Sequence, residues 1–164
     1  MDCSPSQAVR YKRSRFSTRL PEGRLYTASH SWLWEREPGV WRVGYTKFAT
    51  RMLGELVEHD FETKPGESVT IGQIIGWVEG FKAASDVYCV VEGEFLAGNP
   101  ALTANVALLD EDTYDKGWLY EVKGKPDAQA LDVKGYTGIL DLAIDKIQGR
   151  MEGQETGDSG QETD

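Results

Sequence analysis

Cysteine and histidine are nearly missing from this 164-residue chain, which has two of each: Cys3, Cys89, His30 and His59. Two cysteines are too few for a disulfide framework, and the four residues fall into no metal-ligand spacing. Long apolar runs are missing too, and no stretch approaches the roughly 18 apolar residues that a membrane span needs. The N-terminus has charges with no apolar core behind them, so it does not read as a secretory signal. Net positive charge is the last absence. With 18 basic and 27 acidic side chains the formal charge is −9, and such a surface repels phosphate backbones. The expectation is a protein of a reducing compartment, cytoplasmic in preference to a mitochondrial matrix, with no metal, no nucleic acid and no membrane.

What is present describes an ordinary globular chain, 40% hydrophobic and 27% charged, of a size that forms one domain with a real core. Its charge is uneven. Residues 1–24 hold Arg10, Lys12, Arg13, Arg15, Arg19 and Arg24 against Asp2 and Glu22, a balance of +4, so the rest of the chain carries −13. The acidic remainder suits docking to basic faces of partner proteins, because complementary charge speeds encounter. The basic stretch has the Arg and Ser content of a transit peptide, but Asp2, Pro5 and a weak amphipathic pattern favour a flexible or loosely packed extension over 1–24. The end, "MEGQETGDSGQETD", has no large apolar group after Met151, and a disordered acidic tail is expected over 151–164. The ordered domain is then 25–150.

Within that domain, "GVWRVGYT" (39–46) and "GELVEHDF" (54–61) alternate as half-buried strands do. Between them "TKFATRMLG" (46–54) predicts a two-turn helix, with Thr46 as cap and Gly54 as stop. A Pro-Gly turn leads into a strand through "IIGWV". "DVYCVVEGEFLAG" predicts two strands with a turn at Glu92-Gly93, and "KGWLYEV" (116–122) one more. In "GYTGILDLAIDKIQG" (135–149), Ile139, Leu140, Ala143, Ile144 and Ile147 fall on one face, the stripe of a docking helix that Gly149 closes. The class is mainly β with short flanking helices and a C-terminal helix.

The bend between "IIGWV" and "VYCVV" reads "EGFKAASD" and holds one cation, Lys82. Gly80 permits the tight bend, and Ala83 and Ala84 leave the lysine unshielded. Two readings are open from the residues alone. Lys82 is either a solvated charge at a turn or the attachment point of a group-carrying cofactor, which needs an amine on a long stem presented by a rigid support.

"EGFKAASD" resembles the lipoylation motif of the glycine-cleavage H proteins, E-S-V-K-A-x-S-D, matching at Glu79, Lys82, Ala83, Ser85 and Asp86. "LYTASHSWLW" resembles that family's Y-x-x-S-H-E-W opening, and "VGYTKFATRMLGELV" its I-T-D-H-A-Q-x-x-L-G-D-V helix. "NPAL" and "DEDTYDKGWL" resemble its N-x-x-L and N-E-D-P-Y-G-x-G-W-L segments. The pieces are collinear over about residues 25–125. The resemblance implies a barrel-sandwich hybrid of the lipoyl- and biotinyl-carrier type, with lipoic acid in amide linkage on Lys82. It implies a carrier and not an enzyme, taking an aminomethyl group from glycine decarboxylase, presenting it to aminomethyltransferase, and being re-oxidised by dihydrolipoamide dehydrogenase, after loading by a lipoate ligase or lipoyl transferase. Acylating Lys82 would take the formal charge from −9 to −10. Biotin carriers place Met on both sides of their lysine; here the neighbours are Phe81 and Ala83.

Four positions depart from the family pattern. Gly80 and Phe81 stand where Ser and Val are usual. Ser31 stands for the acid of S-H-E-W and Phe48 for the histidine of the D-H-A helix, both near the cleft where the family's loaded arm parks. A carboxylate there stabilises an ammonium-like arm; Ser31 supplies no charge, Phe48 makes the wall apolar, and Asp86 is left as an anionic candidate. Neutral repacking accounts for these changes, and so does an H-like carrier serving another lipoate-dependent system, such as sulfur oxidation or lipoyl relay. An unmodified interaction module is the remaining alternative. Cys89, His30, His59 and the five tryptophans read as structural residues.

Overall fold

The computed structural model describes residues 7–156. It begins with a hairpin of β1 (Ala8–Arg13) and β2 (Phe16–Pro21), followed by β3 (Leu25–Tyr26), β4 (Ser31–Glu37) and β5 (Val40–Tyr45). Helix α1 (Lys47–Leu53) leads to β6 (Leu56–Phe61), β7 (Ser68–Val69), β8 (Ile74–Gly80), β9 (Ala84–Tyr88) and β10 (Val91–Gly98). Two single-turn helices, α2 (Ala101–Ala104) and α3 (Leu108–Glu111), precede β11 (Tyr120–Pro126) and the long α4 (Val133–Thr156).

The fold is the mainly β barrel-sandwich that the sequence leads one to expect. A six-stranded sheet in the order β3-β4-β5-β11-β10-β7 faces a three-stranded sheet, β6-β8-β9. Their inner faces supply the main core. Leu33, Val43 and Val122 come from one sheet, Ile75 and Val78 from the other, and all five are fully buried; each such side chain contributes roughly 1.5–3 kcal/mol. A second cluster lies outside this sandwich. Phe16 and Leu20 of the hairpin, Trp32, Phe48 and the apolar stripe of α4 (Tyr136, Leu140, Ile144) bury one another there.

Helix α1 follows its sequence signals. Thr46 is extended and its hydroxyl accepts the Ala49 N–H at 3.4 Å, Phe48 and Leu53 point inward, and Gly54 ends the helix at φ 80° with its N–H on the Thr50 carbonyl. Three expectations need correction. Residues 8–21 are not a loose extension, since they form a registered hairpin with Phe16 and Leu20 buried against α4 and α1. Glu92 and Gly93 are not a turn; they lie within β10 opposite Lys125 and Gly124. The chain breaks earlier, at Cys89 and Val90, whose N–H groups leave the ladder for the Gln73 carbonyl and the Tyr120 hydroxyl. Finally, α4 runs past Gly149 to Thr156, because one glycine costs a helix only about 1 kcal/mol and does not stop it unaided. The acidic tail expected from residue 151 is therefore helical over 151–156, and residues 157–164 lie outside the described ones, as does Cys3. No helix among the described residues is long and apolar enough to cross a membrane.

Candidate functional site: the lysine tip

Lys82 sits at the tip of the β8–β9 hairpin, and the backbone N–H groups of Gly80, Phe81 and Lys82 are all engaged. The Gly80 N–H bonds to the Ala83 carbonyl at 2.8 Å and closes the turn. The Phe81 N–H bonds to the Glu55 carbonyl at 2.7 Å, and the Lys82 N–H to the Leu53 carbonyl at 2.9 Å. Leu53 ends α1 and Glu55 precedes β6, so the tip also caps the helix and satisfies a carbonyl that a helix C-terminus leaves open. Two glycines make the approach possible. A Cβ on Gly80 would lie 2.2 Å from the Leu53 carbonyl oxygen, and one on Gly54 would lie 2.8 Å from Lys82 Cγ.

The backbone is pinned while the side chain is free to extend. Lys82 is exposed, and no ion pair among the described residues involves it. Lys47, by contrast, is held by Asp110 through both its carboxylate and its carbonyl. Beside Lys82, Ala83 and Ala84 offer no cover, and Phe81 is 84% exposed. An amine that must form an amide with a carboxylic acid needs an unpaired nitrogen, a clear approach and a fixed base. Lys82 has all three, so the residues present fit an acyl-linked lipoyl group.

The two departures at Ser31 and Phe48 are both buried away from solvent. Ser31 is buried and its N–H bonds to the Thr27 hydroxyl at 3.3 Å. Phe48 is buried between the ring of His30, at 4.7 Å between centroids, and that of Phe16, edge-on at 5.5 Å. His30 Nδ1 and Thr46 Oγ1 each share a hydrogen bond of 2.8 Å with the Tyr136 hydroxyl. Burial holds the His30 imidazole at about 4, so it is neutral near pH 7. Asp86 is exposed and opposite Trp77 on β8, with its carbonyl, not its carboxylate, engaged by Ser85 and Tyr45.

Cys89 is buried, donates to the Val91 carbonyl, and has its thiol pushed upward by burial, so it is a packed residue and a poor nucleophile. His59 lies on β6 beside Phe61. No group of metal-ligating side chains occurs among the described residues. The residues that sequence reasoning did not single out are the ones that brace the tip, Leu53 and Glu55; they act through backbone carbonyls, which leave no trace in residue type.

A barrel-sandwich with an acylable lysine on a braced β-turn defines a carrier domain, in which the protein presents a group and another component does the chemistry. A model of the glycine cleavage H-protein family matches residues 24–136. The chain is 34% identical over 125 residues to the glycine cleavage system H protein of Shewanella sp. strain ANA-3, covering 74% of this chain and 96% of that one. The H protein of Shewanella baltica is 33% identical over the same length. Among solved structures, the glycine cleavage system H protein of Mycobacterium marinum superposes with a TM-score of 0.66 at 33% identity, covering 73% of this chain and 97% of that one. The chain belongs to the glycine cleavage H-protein family. Members of that family are carriers, not enzymes, and bear lipoate covalently on a lysine.

Proposed function

We propose that this chain is the lipoyl carrier of a glycine cleavage system, with lipoic acid amide-linked to Lys82. In this reading it takes the aminomethyl group from glycine decarboxylase to aminomethyltransferase and meets dihydrolipoamide dehydrogenase for re-oxidation, in the cytoplasm. The bound group supplies disulfide–dithiol exchange. The chain's own residues do the rest. Leu53 and Glu55 fix the tip through its N–H groups, Gly54 and Gly80 admit the close approach, and Ala83 and Ala84 keep the amine open to a modifying enzyme. The observation that carries the reading is this combination of an immobilised backbone and an unpaired, solvent-facing amine.

The test is intact mass after incubation with a lipoate ligase and lipoate. The parent chain is expected to gain one lipoyl group, and Lys82→Arg none, with its thermal unfolding unchanged. Modification of Lys82→Arg to the parent's level would move the site to another lysine. A second reading, an H-like carrier for another lipoate-dependent pathway, is favoured by the buried, uncharged pair Ser31 and Phe48. Glycine–bicarbonate exchange with the decarboxylase separates the two: exchange supports glycine cleavage, and a loaded chain that gives none supports the other pathway.

A further inference from the structure

The N-terminal hairpin lies outside the family match, which begins at residue 24, and its two faces differ in kind. Strand alternation puts Tyr11, Arg13, Phe16 and Leu20 on one side. There Tyr11 donates to Asp141 at 2.8 Å, Arg13 grips Asp145 with two bonds of 2.8 and 2.9 Å, and Phe16 and Leu20 are buried. The other side carries Arg10, Lys12 and Arg19, with Arg15 at the turn, and all four are exposed. Arg10 stands directly opposite Arg19 in register, and like charges so placed are unfavourable. None of these four has an ion pair among the described residues, although the chain holds 27 acidic side chains. Folding leaves the cations facing out and anchors the ribbon beneath them.

The ribbon is also close to the lysine tip. The Phe16 ring packs on Phe48, and the Arg51 guanidinium lies 5.5 Å from that ring. Arg51 is two residues before Leu53, whose carbonyl holds the Lys82 N–H, so the Phe16 end of the ribbon and the tip contact α1 about one turn apart. An enzyme that closes over Lys82 meets the ribbon on its α1 side. Glu58, Asp60, Glu79 and Asp86 are all exposed on the three-stranded sheet that carries the tip. A basic ribbon and an acidic sheet face on one molecule orient a partner of uneven charge as it approaches.

We propose that Arg10, Lys12, Arg15 and Arg19 form a docking face for an acidic patch on an enzyme that works on the Lys82 arm, an inference that rests on the carrier reading of Lys82. The occupant is a protein patch and not an extended polyanion. Residues 25–164 carry −13, and that balance disfavours a long phosphate backbone laid across this chain.

The test uses the full chain without its arm, as a competitor. Unlipoylated Lys82→Arg protein is titrated against the loaded parent in assays with the host's decarboxylase, aminomethyltransferase and dihydrolipoamide dehydrogenase. Adding R10E, K12E and R19E is expected to raise the inhibition constant about tenfold at low salt for at least one enzyme. The two competitors should converge as salt approaches roughly 0.5 M, and turnover of free lipoamide by the dehydrogenase should not change. Arg10→Gln, Lys12→Gln and Arg19→Gln together should give a smaller rise, and serve if the reversal lowers the melting temperature. Inhibition constants within about twofold for all three enzymes at low salt overturn the proposal. So does binding of a duplex oligonucleotide that is lost in the reversed chain while the inhibition constants stay equal. The competitor needs no arm, so a failure of the Lys82 assignment appears in the mass test and leaves this result readable.

Discussion

At Gly80 the chain gives up a side chain so that a strand end can lie on a helix end. Its backbone angles are ordinary, and the constraint is space alone, with the Leu53 carbonyl oxygen 2.2 Å from where a Cβ would sit. That oxygen is the acceptor for the Lys82 N–H, so a methyl group there separates the tip from its brace. Gly80→Ala is predicted to cost about 1–3 kcal/mol by urea unfolding, as overpacking does. It should also slow lipoylation, because the amine's base would no longer be fixed. A variant as stable as the parent and modified at the same rate would show that the tip needs no brace from α1. Lys82 itself is legible in the sequence, since a lone cation between two apolar β arms has only a turn to occupy. Its brace is not, because the contacts are made by carbonyls and by the absence of atoms.

Helix α1 and the N-terminal hairpin show what sets legibility at the scale of an element. Thr46 and Gly54 bracket α1 with local signals that act within four residues, and the sequence alone bounds it closely. The hairpin has no such signal. Only Phe16 and Leu20 of its apolar residues are buried before Pro21, among five of the chain's cations, and what orders them is α4, which is more than a hundred residues away. Such a segment reads as an extension until its partner is known. Two forces tie the hairpin down, and their magnitudes differ. The Arg13–Asp145 pair is exposed, its side chains 42% and 56% accessible, and water and salt screen pairs of that kind to a small contribution. Phe16 is buried edge-on against Phe48, and removing a buried phenyl ring costs about 3 kcal/mol or more. Phe16→Ala is therefore predicted to lower stability by about 3–5 kcal/mol and to raise amide exchange over 8–21, while Arg13→Ala costs far less, because solvent screens its pair. The reverse ranking in chemical denaturation would make the hairpin an electrostatic attachment.

At the scale of the whole molecule, a hydrogen-bonded junction, His30–Tyr136–Thr46, ties α4 to the start of α1 and to the residue before β4. His30 enters it from the left-handed region, at φ 66°, and keeps its ring against Phe48. Because burial lowers its proton affinity from the ordinary 6.5 to about 4, the unfolded chain binds a proton between those values that the folded chain refuses. The proton-rich state is the unfolded one, so stability is fully present above about pH 6.5 and falls as the pH drops toward about 4, below which this group adds no further slope. The loss amounts to at most about 3 kcal/mol. His59, also pulled below its usual range by burial, acts in the same direction, and carboxylates titrate in the lower part of the window. A difference between two proteins isolates the junction. His30→Asn tolerates a left-handed backbone and retains a polar atom for the Tyr136 hydroxyl, but it does not titrate. The stability gap between parent and His30→Asn, from urea unfolding at pH 7.5, 6, 5 and 4, is predicted to narrow steadily as the pH falls. A gap that stays constant over that range would mean that His30 takes up its proton without the junction opening.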